Sequence, residues 1–392
     1  MKNKLLLGCL CLFAACSLFQ KTEIDLKYPP IWEHNFNVGY FSTIEPILHE
    51  NKVIYSGLDE KKNDFSANST LEAFDKKNDK LIWKWEDNVM SNSEQFVLAS
   101  NYFFRDHILY ISTRWDYAIN LNNGKTEFSN NQDKLNGVDF FGNNKKLFTS
   151  YVKQDGSSTT VEYTNFQSFD WDILFQKENS DTSIHYFRYF LFDETRPSYL
   201  YVPYSKWNGT ASRPNLLIYD LNENKIIFDN ELDVVSGSRF IDYKPIMQVD
   251  KIYLSLNGHI ACIDKETSAV LWQRETVGNS SRSGIMYADN KIFVNTEFQL
   301  YALDAETGNI LWQIDSSAGS RMQEHKGVVY YTDGISLRGV DAVSGEVLLE
   351  VEAPSRATDD GAFFQPVLTI DHENDRIYTA SYTHAYCYPT LR

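Results

Sequence analysis

Cysteine is scarce: five occur in 392 residues, and Cys9, Cys11 and Cys16 fall within the first sixteen positions. Cys262 and Cys387 stand alone, and no C-x-x-C or H-x-x-x-H spacing occurs anywhere. The histidines, at 34, 49, 107, 185, 259, 325, 372 and 384, are scattered, so the chain offers no metal-ligand set. Its Asp- and Asn-rich pieces, DKKNDK and LNNGKTE, lack the spacing of a calcium loop. There is no G-x-S-x-G elbow and no phosphate loop. Catalytic residues, metal and cofactor are therefore all expected to be none. Basic residues are also short, with 37 Lys and Arg against 53 Asp and Glu and a formal charge of −16. An acidic body of this size is repelled by nucleic acid and by anionic headgroups, which excludes both as protein-surface partners.

What the chain has in abundance is repetition. A β-rich "IY" or "IF" is followed by an apolar-Asp pair, a turn residue four positions on, and a large apolar residue after four more. IACIDKETSAVLW (260 to 272) and LYALDAETGNILW (300 to 312) are the clearest copies. Anchoring on the Asp position gives Asp75, Asn120, Gln167, Asp220, Asp264, Asp304 and Asp341, spaced by 45, 47, 53, 44, 40 and 37 residues. That period is the length of a four-stranded propeller blade. Asp79, Gly124, Asn224, Ser268, Gly308 and Gly345 take the turn position, with Trp171 out of character in the third copy. These residues suit a hairpin in which φ is positive. Trp83, Phe128, Phe175, Phe228, Trp272, Trp312 and Leu349 then supply the apolar group that packs between neighbouring sheets.

Two residues before the anchor the chain prefers a small side chain: Ala73, Ala118, Cys262, Ala302 and Gly339. An eighth copy begins at RIYTASYTHAYCYP, places Cys387 at this small position and stops at Arg392 without a last strand. PPIWEHN (29 to 35) supplies the missing piece, with Trp32 matching the Trp of ILWQID. The expected fold is all-β: an eight-bladed β-propeller of four-stranded antiparallel blades, closed by the N-terminal strand so that no sheet edge stays free. Cys262 and Cys387 then occupy equivalent positions three blades apart, beyond disulfide reach, and are core residues.

These residues resemble the quinoprotein-type repeat of PQQ-like β-propellers, whose signature reads Y-A-L-D-x-x-T-G-x-x-L-W. The resemblance covers almost all of 31 to 392, strongly in copies one, five and six and weakly in the rest. It implies either a PQQ-dependent dehydrogenase or a non-catalytic lipoprotein of the outer-membrane β-barrel assembly type. The dehydrogenases carry an adjacent Cys-Cys pair beneath the quinone and a much longer chain, and no such pair is present here. A binding role is expected instead, since a repeat of this kind identifies architecture and not activity.

The first residues, MKNKLLLGCLCLFAAC, have the basic start and short apolar core of an export signal. Phe13-Ala14-Ala15-Cys16 resembles a bacterial lipobox, which makes 1 to 15 a lipoprotein signal peptide, Cys16 the lipidated residue, 16 to 30 a tether and 31 to 392 one propeller. Loss of Lys2 and Lys4 with the signal moves the formal charge from −16 to −18. Ser17, not Asp, follows the cysteine, as in lipoproteins of the outer membrane, and the periplasmic face is expected. The lipid, not the protein surface, then holds a monomer on the membrane.

One constellation remains. Ser238-Arg239, Ser281-Arg282, Ser320-Arg321 and Ser355-Arg356 recur just before the inner strands of four consecutive blades. There the links between blades cross the mouth of the central channel. Arg239, Arg282, Arg321 and Arg356 either form an arc that binds a carboxylate or acidic peptide of a protein partner, or pair singly with acids such as Asp242, Glu324 and Asp359. The links 58 to 70 and 205 to 215 are expected to project from the same face, with Trp207 exposed as a contact anchor. The aromatic stretch HYFRYFLF (185 to 192) is expected as the inner strand of blade four. Recognition of a small molecule or glycan at the channel mouth is the alternative to a protein-binding scaffold.

Overall fold

The computed structural model describes residues 28–36, 44–60, 67–86, 102–112, 116–130, 141–142, 146–153, 155–164, 170–180, 183–234, 241, 243–279, 284–317, 319–357 and 363–392. Eight antiparallel sheets form the ring of a propeller, with almost no helix. Blade 1 runs Ile47–His49, Lys52–Glu60, Ala67–Asp75 and Leu81–Glu86 from axis to rim, and blades 2 to 7 repeat that order. The inner strand of blade 4 comes in two pieces, Ile184–Phe187 and Leu191–Phe192, both paired with Tyr199–Trp207. The HYFRYFLF stretch is thus an inner strand, interrupted at Arg188.

Burial explains which residues form which strand. A middle strand lies between two neighbouring sheets and buries both faces, as Val328–Thr332 (VVYYT) does along its whole length. Such strands are β-branched and aromatic throughout. An outer strand alternates, as Val270–Glu275 (VLWQRE) does. The core is accordingly a series of inter-blade seams. Trp83 and Trp85 of blade 1 pack with Leu109, Tyr117 and Ile119 of blade 2, for instance.

Each tryptophan at the large apolar position reaches one blade forward. Its Nε1 donates to the carbonyl of the residue that follows the next anchor: Trp83 to Leu121 (3.1 Å), Trp272 to Ala305 (3.0 Å) and Trp312 to Ala342 (3.3 Å). Trp32 does the same across the ring closure, donating to Lys76 at 3.1 Å. The first strand, Trp32–Asn35, pairs with His384–Pro389 in the register Trp32 to Cys387. Trp272 pairs with Cys262 in the same way. The closing strand therefore completes blade 8, and both cysteines are buried free thiols. Burial pushes each thiol up to about 12.

The expected hairpin turns are present in all six regular copies. Asp79, Asn224 and Ser268 have φ of 55, 54 and 58°, and Gly124, Gly308 and Gly345 have 69, 67 and 77°. Anchor carboxylates cap them: Asp304 Oδ1 accepts from the backbone N–H groups of Glu306 (3.1 Å) and Thr307 (2.8 Å). The three glycines serve a further purpose. A Cβ at Gly308 would lie 2.5 Å from the Trp272 ring, and Gly124 and Gly345 stand likewise against Trp83 and Trp312. Gly308→Ala combines that overlap with a left-handed backbone. It is expected to destabilise the fold by about 2 kcal/mol or more in denaturant titration.

The third copy needs a correction. In the regular copies the bulge between third and fourth strands falls just before the anchor, as at Ala302/Leu303. In blade 3 it falls at Val161/Glu162, with Val161 opposite Phe175. The structural anchor is therefore Tyr163, while Gln167 lies outside the described residues. Four extra residues lengthen that hairpin, which is why Trp171 did not suit a turn.

Candidate interaction face

Strand direction separates the two faces of the ring. Links between blades and the hairpins joining second to third strands lie on one face, and the remaining hairpins lie on the other. On the link face, blades 1 and 4 stand taller than the rest. Their second and third strands have nine residues each, Lys52–Glu60 with Ala67–Asp75 and Tyr199–Trp207 with Ser212–Asp220. The segments expected as long links are thus largely paired strand.

Trp207 is accordingly a strand residue, not a loop residue. It pairs with Ser212 across a short hairpin and with Ile184 of the inner strand, and it is half-buried. Asn208 Oδ1 closes that hairpin by accepting from the N–H groups of Thr210 (3.2 Å) and Ala211 (2.9 Å). Beside Trp207 a cleft of about 700 Å³ opens, walled by Tyr186, Tyr189, Tyr204 and Ile241 with Arg188 at its edge. Tyr186 and Arg188 are exposed, and Arg188 makes no ion pair among the described residues. Behind the cleft, His185 is buried and bonds Asn179 Oδ1 at 3.0 Å. Burial first, then the charges of Lys177 and Lys206, lowers His185 to about 4, so this histidine is neutral at pH 7.

The predicted arginines are found in different surroundings. Arg239 and Arg282, like Cys16, lie outside the described residues. Arg321 Nε meets Glu45 at 2.9 Å, and its guanidinium lies 5.6 Å from the centre of the Tyr243 ring. Burial lowers its pKa, but the Glu45 carboxylate together with Tyr243 and Tyr102 outweighs burial and holds it above the ordinary arginine value. Arg356, in the short turn Pro354–Ala357, pairs with Glu352 at 2.9 Å and lies 5.0 Å from the Phe363 ring. Both described arginines have acidic partners, though neither partner is one of the acids named from sequence. Glu45 joins Arg321 from 276 residues away in sequence, so nothing local announced the pair. Arg188 lay within an aromatic stretch that read only as an inner strand.

Among the described residues no group of three or more His, Cys, Asp and Glu is placed to hold a metal ion. None of their helices is long and apolar enough to cross a membrane.

Fold and repeat together define an eight-bladed propeller with an aromatic cleft on its link face. Residues 256–380 match the family model described as outer membrane protein assembly factor BamB. The structure is similar to BamB from Moraxella catarrhalis, with TM-score 0.61, 11% identity, and coverage of 92% of this chain and 99% of that one. It is also similar to Sqt1 from Chaetomium thermophilum, solved bound to the N-terminus of ribosomal protein L10, at TM-score 0.62, 11% identity and coverage of 93% and 100%. A europium-containing methanol dehydrogenase matches at TM-score 0.64 and 10% identity, over 90% of this chain and 84% of that one. No curated protein matches the chain in sequence. At such identities the likeness is one of fold, and the fold serves both protein binding and catalysis in these neighbours.

Proposed function

We propose that this protein is a non-catalytic scaffold, held on the periplasmic face of the outer membrane by a lipid on Cys16, that binds a protein partner through its link face. The observation that carries the reading is the cleft beside Trp207. It combines partly exposed aromatic rings, the Arg188 guanidinium, without an ion pair among the described residues, and a ladder of paired strands that holds the aromatic wall in place. Aromatic and arginine side chains in a preformed concave site are what protein interfaces use as anchors. The family match over 256–380 favours a partner in outer-membrane protein assembly.

A photo-crosslinking side chain at Trp207 in the full-length protein, in native membranes, tests this directly. It is expected to trap one protein partner, whereas the same group at the rim residue Leu311 is expected to trap none. Trp207→Ala should weaken capture by at least about tenfold, the lower end of what an interface anchor contributes. No adduct at Trp207, or equal adducts at both positions, would remove the cleft from the reading. Cys16→Ser should release the protein from membranes into the soluble fraction, and continued membrane retention would sink the anchor.

A further inference from the structure

Two neighbouring hairpins on the face opposite the links bring a pair of imidazoles together. His325 ends the inner strand of blade 7, Gln323–His325, and His372 opens the turn after Phe364–Asp371, the inner strand of blade 8. They lie 47 residues apart in sequence, yet their Nδ1 atoms stand 2.9 Å apart, with ring centres at 4.9 Å and planes inclined by 60°. His325 is buried and His372 is exposed. Both hairpins are braced. Glu324 Oε1 accepts from the Gly327 N–H at 2.6 Å, and Asp371 accepts from the N–H of Glu373 (3.3 Å) and the side chain of Asn374 (3.0 Å).

Asp375 decides which nitrogen of His325 carries the proton. Its carboxylate accepts from Nε2 at 2.7 Å and is itself held by Lys326 at 2.7 Å. A carboxylate on one ring nitrogen fixes the tautomer, so the Nδ1 lone pair of neutral His325 faces His372. The same arrangement orients a histidine to ligate a metal ion and raises the basicity of its ring. Asp375 lies beyond the far nitrogen, so it positions the ring and is not a third ligand. His372, open to solvent, can carry its proton on Nε2 and turn a second lone pair to the same point. The spacing then selects the ion. With metal–nitrogen bonds of about 2.0–2.1 Å, two ligands at right angles stand about 2.9 Å apart and two tetrahedral ones about 3.4 Å apart. The observed 2.9 Å matches the first, which is the tetragonal geometry of copper(II).

We propose that His325 and His372 form a binding site for one copper(II) ion, with water on its remaining positions, that ties blade 7 to blade 8. The site lies on the face opposite the Trp207 cleft and stands whether or not that cleft holds a protein. Electron paramagnetic resonance of the full-length protein with one equivalent of Cu²⁺ tests it. A single tetragonal signal with coupling to two ring nitrogens is expected, and copper should raise the thermal midpoint of the wild type. His372→Gln should abolish the two-nitrogen signal and the rise in midpoint. Asp375→Asn keeps both ligands and should weaken copper about tenfold to a hundredfold in competition titration, the usual effect of losing the group that orients a ligand. His107 is an exposed histidine on the same face, and His107→Gln should change none of these readouts. Coupling to one ring nitrogen or none, or binding that His372→Gln leaves intact, overturns the site. Equal losses in His372→Gln and His107→Gln would mark adventitious surface binding and overturn it as well.

Discussion

Trp32→Ala is expected to lower the unfolding free energy by roughly 3–5 kcal/mol, the cost of deleting a buried aromatic ring and leaving its cavity. The ring is buried against Tyr378 and donates to Lys76 across the seam between the last blade and the first. Arg376 and the Tyr378 hydroxyl donate to the same Lys76 carbonyl, so three side chains converge on one acceptor at the closure. Trp312 makes the equivalent contact between blades 6 and 7, where the chain runs on continuously and the ring is only half-buried. Denaturant titration followed by near-UV circular dichroism should therefore place Trp32→Ala below Trp312→Ala. Loosening of the first strand would also expose the edge of His384–Pro389, and concentration-dependent aggregation should accompany the loss. Equal midpoints for the two variants would show that the first strand is not what closes the ring.

That closure was legible in the sequence because a repeat exposes its own missing part. Trp32 stands in the same register to Cys387 as Trp272 to Cys262, and the motif placed both pairs without any knowledge of the third dimension. Turn geometry was equally legible, since Asp and Gly at fixed offsets report a local backbone requirement. The third copy failed for the same reason in reverse. Its hairpin gained four residues, and a ruler of fixed spacing assigned the anchor to Gln167 when the bulge at Val161/Glu162 marks Tyr163. Strand length also escaped the reading, because a polar composition such as SKWNGTASRPN serves a long paired hairpin as well as a loop.

The candidate sites were far less legible. Arg321 was found by register, but its partner Glu45 lies at the other end of the chain, and only the closed ring brings them together. Contacts across the axis depend on which side chains eight separate links direct inward, and the repeat constrains those links least. Sequence periodicity reports what each blade shares. A binding face is built from what the blades do not share.

One unshared feature recurs twice. The residue after the anchor is Leu121, Ala305 or Ala342 in three blades, but Lys76 in blade 1 and Lys265 in blade 5. Each lysine crosses to an aspartate near the end of the preceding blade's inner strand: Lys76 to Asp371 at 2.9 Å and Lys265 to Asp193 at 2.6 Å. The second pair is the more deeply buried, with side chains 4% and 7% exposed. Lys265 also donates to the Val249 carbonyl, and Thr195 donates to Asp193 through its hydroxyl (2.6 Å) and its N–H (2.9 Å).

Lys265→Met leaves a buried carboxylate without its cation and is expected to cost about 3–5 kcal/mol, whereas Lys265→Met with Asp193→Leu should recover most of the loss. The pH dependence separates this account from simple loss of packing. Burial raises the Asp193 pKa, but the bonds from Lys265 and Thr195 outweigh it and hold the carboxyl at about 2, below its ordinary 3.8. A depressed folded value means that the stabilisation is complete above the unfolded pKa and is lost as pH falls from about 4 towards 2. Denaturant midpoints of the wild type should therefore drop across that window, and those of the double variant should drop less. Parallel curves for the two proteins would show that the pair contributes nothing to stability at the seam between blades 4 and 5.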